Sequence, residues 1–163
     1  MRYKLIAVWI LLLCLFLSAC SPVPSYPTDN CFYYKNATVA YHSENGLIGQ
    51  QRIADTYGAA DWTQLLDDYF AGPTDPQLVS PFPAGTQLVY LSVYQDTAQA
   101  VLSREFADLT GAELTTACAC LALTIQGITH CSFVQISAVD ALLDNQPSIA
   151  IDPSILSFYD SAQ

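Results

Sequence analysis

The stretch from Thr110 to Gly127 limits what this chain can fold into more than any other. Leu114, Ala117, Cys118, Leu121 and Ile125 recur at intervals of three and four, the stripe of one buried helix face. Ala119, Cys120, Ala122 and Leu123 make much of the remaining circumference apolar as well. A helix of that kind has to be covered on more than one side. Thr110-Gly111-Ala112-Glu113 fits a capping box at its start, and Gly127 reads as its stop.

The segment before it supplies another helix and a hairpin. Trp62, Leu65, Leu66, Tyr69 and Phe70 form an apolar stripe with Asp67 and Asp68 on the wet face; Asp61 is the expected N-cap, with Gln64 at the capping-box position. Gly72-Pro73 ends that helix, because Gly accepts a left-handed cap and Pro cannot continue the hydrogen-bond ladder. Pro76, Pro81, Pro83 and Gly85 mark an ordered loop. Gln87 to Tyr94 then alternates Val89, Leu91 and Val93 against Tyr90, Ser92 and Tyr94, and Ala98 to Ser103 answers it across Gln95-Asp96-Thr97.

Further strands are expected at Phe32-Tyr33-Tyr34, Ala37 to His42, Leu47 to Ala54 after a turn at Glu44-Asn45-Gly46, Ser132 to Val139 and Ile149 to Ile151. The order is strand(s), helix, hairpin, helix, strand. The economical solution is an α+β fold: a small mixed sheet with two helices packed on one face.

The N-terminus stands apart from this. Arg2 and Lys4 precede an unbroken apolar run from Leu5 to Leu17, and Ser18-Ala19 supplies small residues before Cys20. That is a secretory signal, too short to be a comfortable membrane span. Leu17-Ser18-Ala19-Cys20 resembles the lipobox of bacterial lipoproteins, in which the Cys thiol is diacylated and the signal removed ahead of it. The expected organisation is a signal over residues 1–19, a lipid-anchored, proline-rich tether over 20–30 and one domain over 31–163, held at the cell membrane and facing away from the cytoplasm.

Without residues 1–19, only Lys35, Arg52 and Arg104 stand against fifteen acidic residues, a balance of −12. Such a surface repels phosphate backbones, which excludes nucleic acid as a partner. Cys31, Cys118, Cys120 and Cys131 allow three pairings, which the sequence leaves open, and their spacing with His42 and His130 does not make a metal knuckle. No metal or cofactor is expected. Catalysis is not expected either: His130 and Cys131 are adjacent and so point to opposite sides of an extended segment, Ser103 lies outside any nucleophile elbow, and Glu105 with Asp108 reads as a solvated face.

The chain resembles the GerMN domain family. The residues that carry the resemblance are Leu65-Leu66 with Ala71-Gly72-Pro73, Ser80-Pro81-Phe82-Pro83-Ala84-Gly85-Thr86, Leu102-Ser103-Arg104-Glu105-Phe106, the helix holding Leu121-Ala122-Leu123-Thr124, and Val134 to Val139 with Asp140. The resemblance covers residues 32 to 140. It implies a lipid-anchored extracytoplasmic domain of spore-forming and related bacteria, similar in fold to ring-building domains, that acts in sporulation or germination through protein contacts. Two non-enzymatic readings follow. One is an assembly module that docks a protein partner or its own copies through the second apolar face of the long helix, at Cys120 and Leu123. The other is a lipoprotein that binds a small cell-wall ligand, a glycan or peptide, through an aromatic sheet face carrying Tyr90 and Tyr94.

Overall fold

The computed structural model describes residues 31–37, 47–53 and 62–156. Along them run β1 (Cys31–Asn36), β2 (Ile48–Arg52), α1 (Trp62–Ala71), β3 (Leu78–Val79), β4 (Leu88–Tyr94), β5 (Thr97–Leu102), a 3-10 helix at Arg104–Asp108, α2 (Gly111–Thr129), β6 (Phe133–Ala138), β7 (Ile149–Ile151) and a 3-10 turn at Pro153–Ile155. The signal, Cys20, the tether, the Asp61 cap, the Glu44-Asn45-Gly46 turn and nearly all of the strand expected from Ala37 lie outside the described residues.

The class is α+β, with the strands divided between two sheets, β2-β1-β3 and β4-β5-β6-β7. The reason is α2. Leu114, Ala117 to Ile125 and Ile128 are all buried, so the helix hides nearly its whole circumference along its middle turns. One sheet cannot cover that much of a cylinder; β1 packs on it from the first sheet, and β5, β6 and β7 from the second. By length and composition alone α2 could cross a membrane, but its apolarity is taken up by these two protein layers.

The four-stranded sheet is built on strict alternation. β4 and β5 are antiparallel, β5 and β6 parallel across the α2 crossover, and β6 and β7 antiparallel. Val93, Ala98, Val134 and Ile151 form one cross-strand row, and Leu91, Ala100, Ile136 and Ile149 the next. Ala98, Ala100, Val134 and Ile136 are essentially inaccessible, and the remaining members of both rows pack against the core. The small alanines of β5 let α2 approach the sheet closely. Val89 departs from the expected alternation: a register shift between Leu88 and Tyr90 hands the core position to Leu88 and leaves Val89 exposed. Ser103 ends β5 by accepting the Gln87 N–H at 3.0 Å through Oγ.

β1 has an edge problem that side chains solve. Ala37 donates to Gln77 and Asn36 donates to Leu47, so the odd-numbered residues of β1 face β3 and the even-numbered ones face β2. β3 is only two residues long and pairs with Lys35 and Asn36, which leaves Tyr33 beyond its end. There the Tyr33 N–H donates to Thr124 Oγ1 at 3.0 Å, and the Tyr69 hydroxyl donates to the Tyr33 carbonyl at 2.7 Å. Thr124 and Tyr69 are themselves hydrogen-bonded side chain to side chain. The ring of bonds ties β1, α1 and α2 together where a strand would otherwise be needed. In return the Tyr34 hydroxyl donates to the Tyr69 carbonyl at 3.0 Å, near the open C-terminal end of α1.

Gly72, at φ +102°, ends α1 as expected, and Phe82 from the proline loop stacks against Tyr69, Phe70 and Phe106. Three local expectations fail. Trp62 is 39 % exposed because α1 begins there, one turn before its buried residues. Thr110 makes no side-chain cap; the Gly111 N–H donates instead to Asp144 Oδ2 at 3.2 Å, from a loop distant in sequence. Gly127 does not stop α2, which runs on to Thr129 and is closed by His130 in the left-handed region at φ 57°.

Candidate functional site

Burial settles what the second face of α2 does. Cys120 is fully buried and Leu123 is 4 % exposed, so neither can form the interaction surface expected of them. β1 of the first sheet and Tyr69 of α1 lie against that side of the helix. Burial pushes the Cys120 thiol up to about 12, and the Cys118 thiol likewise, with the Asp144 carboxylate adding to the effect. Thiols held so far above neutrality are not nucleophiles. Cys131 is buried and accepts a hydrogen bond from Thr129 at 3.2 Å, whereas His130 faces solvent. Glu105 is exposed, its carboxyl lowered by the hydrogen bond to Ser103. Among the described residues, no three His, Cys, Asp or Glu side chains gather into a metal-binding cluster.

Among the described residues two surfaces stand out, on opposite sides of α2. The first is a groove of about 500 Å³ between the three-stranded sheet, the proline loop and the first turns of α2. Val79, Pro81, Phe82, Pro83 and Leu109 give it apolar walls, Leu47 adds an exposed aliphatic shoulder, and Lys35 and Glu113 carry opposite charges at its margin. The geometry follows from the elements: Lys35 and Val79 are cross-strand partners and share a face, and the Phe82 ring in the aromatic cluster fixes the loop between Pro81 and Pro83. The Pro-rich segment was legible as a joint, but nothing in its period brings Lys35, Leu47 and Glu113 together. They meet only because two sheets flank α2.

The second surface is the outer face of the four-stranded sheet, which no helix among the described residues covers. Its cross-strand rows are Tyr94, Thr97 and Phe133; Ser92, Gln99, Gln135 and Ala150; and Tyr90, Val101 and Ser137. Tyr90 is 56 % exposed, Tyr94 72 % and Phe133 49 %. The Gln135 amide donates to Ser148 Oγ at 2.9 Å, which holds its side chain across the face. Phe133 was not singled out in the sequence, although the signal was present: if Val134, Ile136 and Ala138 face inward, Phe133 must face outward.

Comparison with known proteins adds the following. The family model described as "Germane: Sporulation and spore germination" matches residues 32–147. The chain is similar to a candidate lipoprotein from Clostridium perfringens, known from a 2.5 Å crystal structure, with 21 % sequence identity and a TM-score of 0.49 over 77 % of this chain and 89 % of that one. A search of curated proteins gave no match.

Proposed function

The chain belongs to the Germane family of sporulation and spore germination proteins, and on that premise we propose that it is a lipid-anchored, extracytoplasmic and non-enzymatic module that works in envelope-complex assembly through protein contacts. The lipobox at Leu17 to Cys20 supports the anchor and its side of the membrane. The acidic balance of the anchored chain argues against nucleic acid and for a protein partner. The observation that carries the reading is the groove beside α2. An apolar centre with charges kept to its margin is the layout of a protein contact, in which the buried middle supplies affinity and the charged edge supplies orientation. The occupant this lining favours is an extended apolar segment of a partner, with the exposed Lys35 and Glu113 available to opposite charges on it.

The test uses the full chain in a sporulating host, with a photo-crosslinking residue in place of Val79. A discrete adduct to one partner, lost when Leu47→Asp is added, is the expected result. Absence of any adduct at Val79 during sporulation and germination would overturn the reading. Crosslinks that scatter over many abundant proteins would do so equally.

A further inference from the structure

We propose that the outer face of the four-stranded sheet is a second, independent binding site, whose ligand is a neutral β-1,4-linked glycan lying across the strands. It does not depend on the groove, which lies on the other side of α2.

Tyr94 on β4 and Phe133 on β6 both pair with Thr97 on β5, so the two rings stand two strands apart on one face. Two strand spacings are roughly 9.5 Å. That is comparable to the disaccharide repeat of a β-1,4-linked glycan, in which alternate sugars present the same face. Thr97 between the rings is short and half-buried, so it leaves a saddle where the intervening sugar can pass. The neighbouring row offers hydroxyl and amide groups, from Ser92, Gln99 and Gln135, at the level where ring hydroxyls or acetamido groups would sit. Gln135 is already oriented by Ser148, so little side-chain freedom is lost on binding.

Charge narrows the ligand further. The three rows from β4 to β7 contain no ionisable carboxylate or amine, on a chain whose anchored form carries −12. A polyanionic polymer would be repelled by the molecule as a whole, and a cationic one would find no carboxylate within these rows, since Asp152, just past the end of β7, is engaged by Ser154. A neutral polyol stacks its C–H faces on Tyr94 and Phe133 and takes its hydrogen bonds from the amides. The two aromatics are held by the sheet and not by a loop, so they are set for such a ligand before it arrives.

The experiment titrates the full chain, solubilised in detergent, with chitotetraose as the neutral N-acetylated probe and with hyaluronan fragments as the anionic control. Saturable binding of chitotetraose with none of hyaluronan is expected. Tyr94→Ala and Phe133→Ala should each weaken it roughly tenfold, while Val79→Ser in the groove should leave it unchanged. Tyr94 is mostly exposed, so its variant keeps the test intact if Phe133→Ala folds poorly. No saturable chitotetraose binding, binding unchanged in Tyr94→Ala, or equal binding of the anionic glycan would each overturn the proposal. A partner adduct at Val79 in a chain that binds no glycan would overturn this proposal and leave the assembly reading standing.

Discussion

Helix α2 and the outer face of the four-stranded sheet both carry large apolar side chains, yet the first is enclosed along its middle turns and the second leaves Tyr90, Tyr94 and Phe133 exposed. The difference lies in what the chain supplies to cover each. α2 is flanked by strands from two sheets, and even its polar Thr124 is used, closing the ring with Tyr33 and Tyr69. The outer face has Tyr90, Tyr94 and Phe133 exposed and aligned on one side, with no element above them among the described residues. Apolarity that the fold covers is stability; apolarity placed in register and left open is available for contact. Leu121→Ala, in the fully buried stripe of α2, should cost about 2–5 kcal/mol of unfolding free energy. Tyr94→Ala should change stability by less than about 0.5 kcal/mol. Parallel urea titrations check both, and a large loss in the Tyr94 variant would break the distinction.

The second consequence is a dependence on alkali. The Cys118 and Cys120 thiols are raised from an ordinary 9.0 to about 12, and the Tyr34 and Tyr69 hydroxyls are raised above 10.0, chiefly by burial. For an acid whose folded pKa lies above its unfolded one, the stability contribution is complete below the unfolded value and is lost as pH climbs towards the folded one. Stability should therefore be flat from pH 7 to about 9 and fall steadily between about 9 and about 12. Cys118→Ala/Cys120→Ala should flatten the first part of that fall. Denaturant midpoints across the range measure it, and the Cys118 and Cys120 thiols at pH 8 should react with a disulfide reagent only on unfolding.

The ring around Tyr33 comes next in size. Thr124→Val keeps the shape of the side chain but removes the acceptor of the Tyr33 N–H and the partner of the Tyr69 hydroxyl, at about 1–3 kcal/mol. Amide exchange at Tyr33 should accelerate along with that loss. If it does not, β1 is held by packing alone and the ring is incidental.

How far the sequence foretold these regions depends on the range of the interaction. The inner stripe of α2, the α1 face at Leu65, Leu66 and Tyr69 and the Gly72-Pro73 stop were legible because period and punctuation are local. The split into two sheets was not, because it depends on β1 meeting α2 across nearly a hundred residues, at Tyr33 and Thr124. The same distance hid the groove, whose Lys35, Val79 and Glu113 come from three elements. Cys120 and Leu123, expected to form a docking surface, are buried instead, because the packing of β1 on α2 is a long-range contact that no local period records. Tyr90 and Tyr94 could be assigned to an outer face from alternation alone, but the bulge at Val89 could not, since a single extra residue leaves no mark in a short period.

The smallest effect expected here changes sign according to which account of α2 is right. If Gly127 ended the helix in the left-handed region, Gly127→Ala would destabilise the chain, because a side chain at positive φ is strained. Instead His130 takes that conformation and Gly127 lies inside α2. A methyl group at Gly127 would meet the Cys31 carbonyl oxygen at 4.0 Å, an ordinary contact, and the position is open to solvent. Alanine there should stabilise the chain by about 0.5–1 kcal/mol through the backbone entropy that glycine loses on folding. A gain places the end of α2 at His130 and extends the enclosed helix to its contact with β1. A loss would mean that the close approach of β1 at Cys31 requires glycine, and the boundary between the covered and open parts of α2 would move back by one turn.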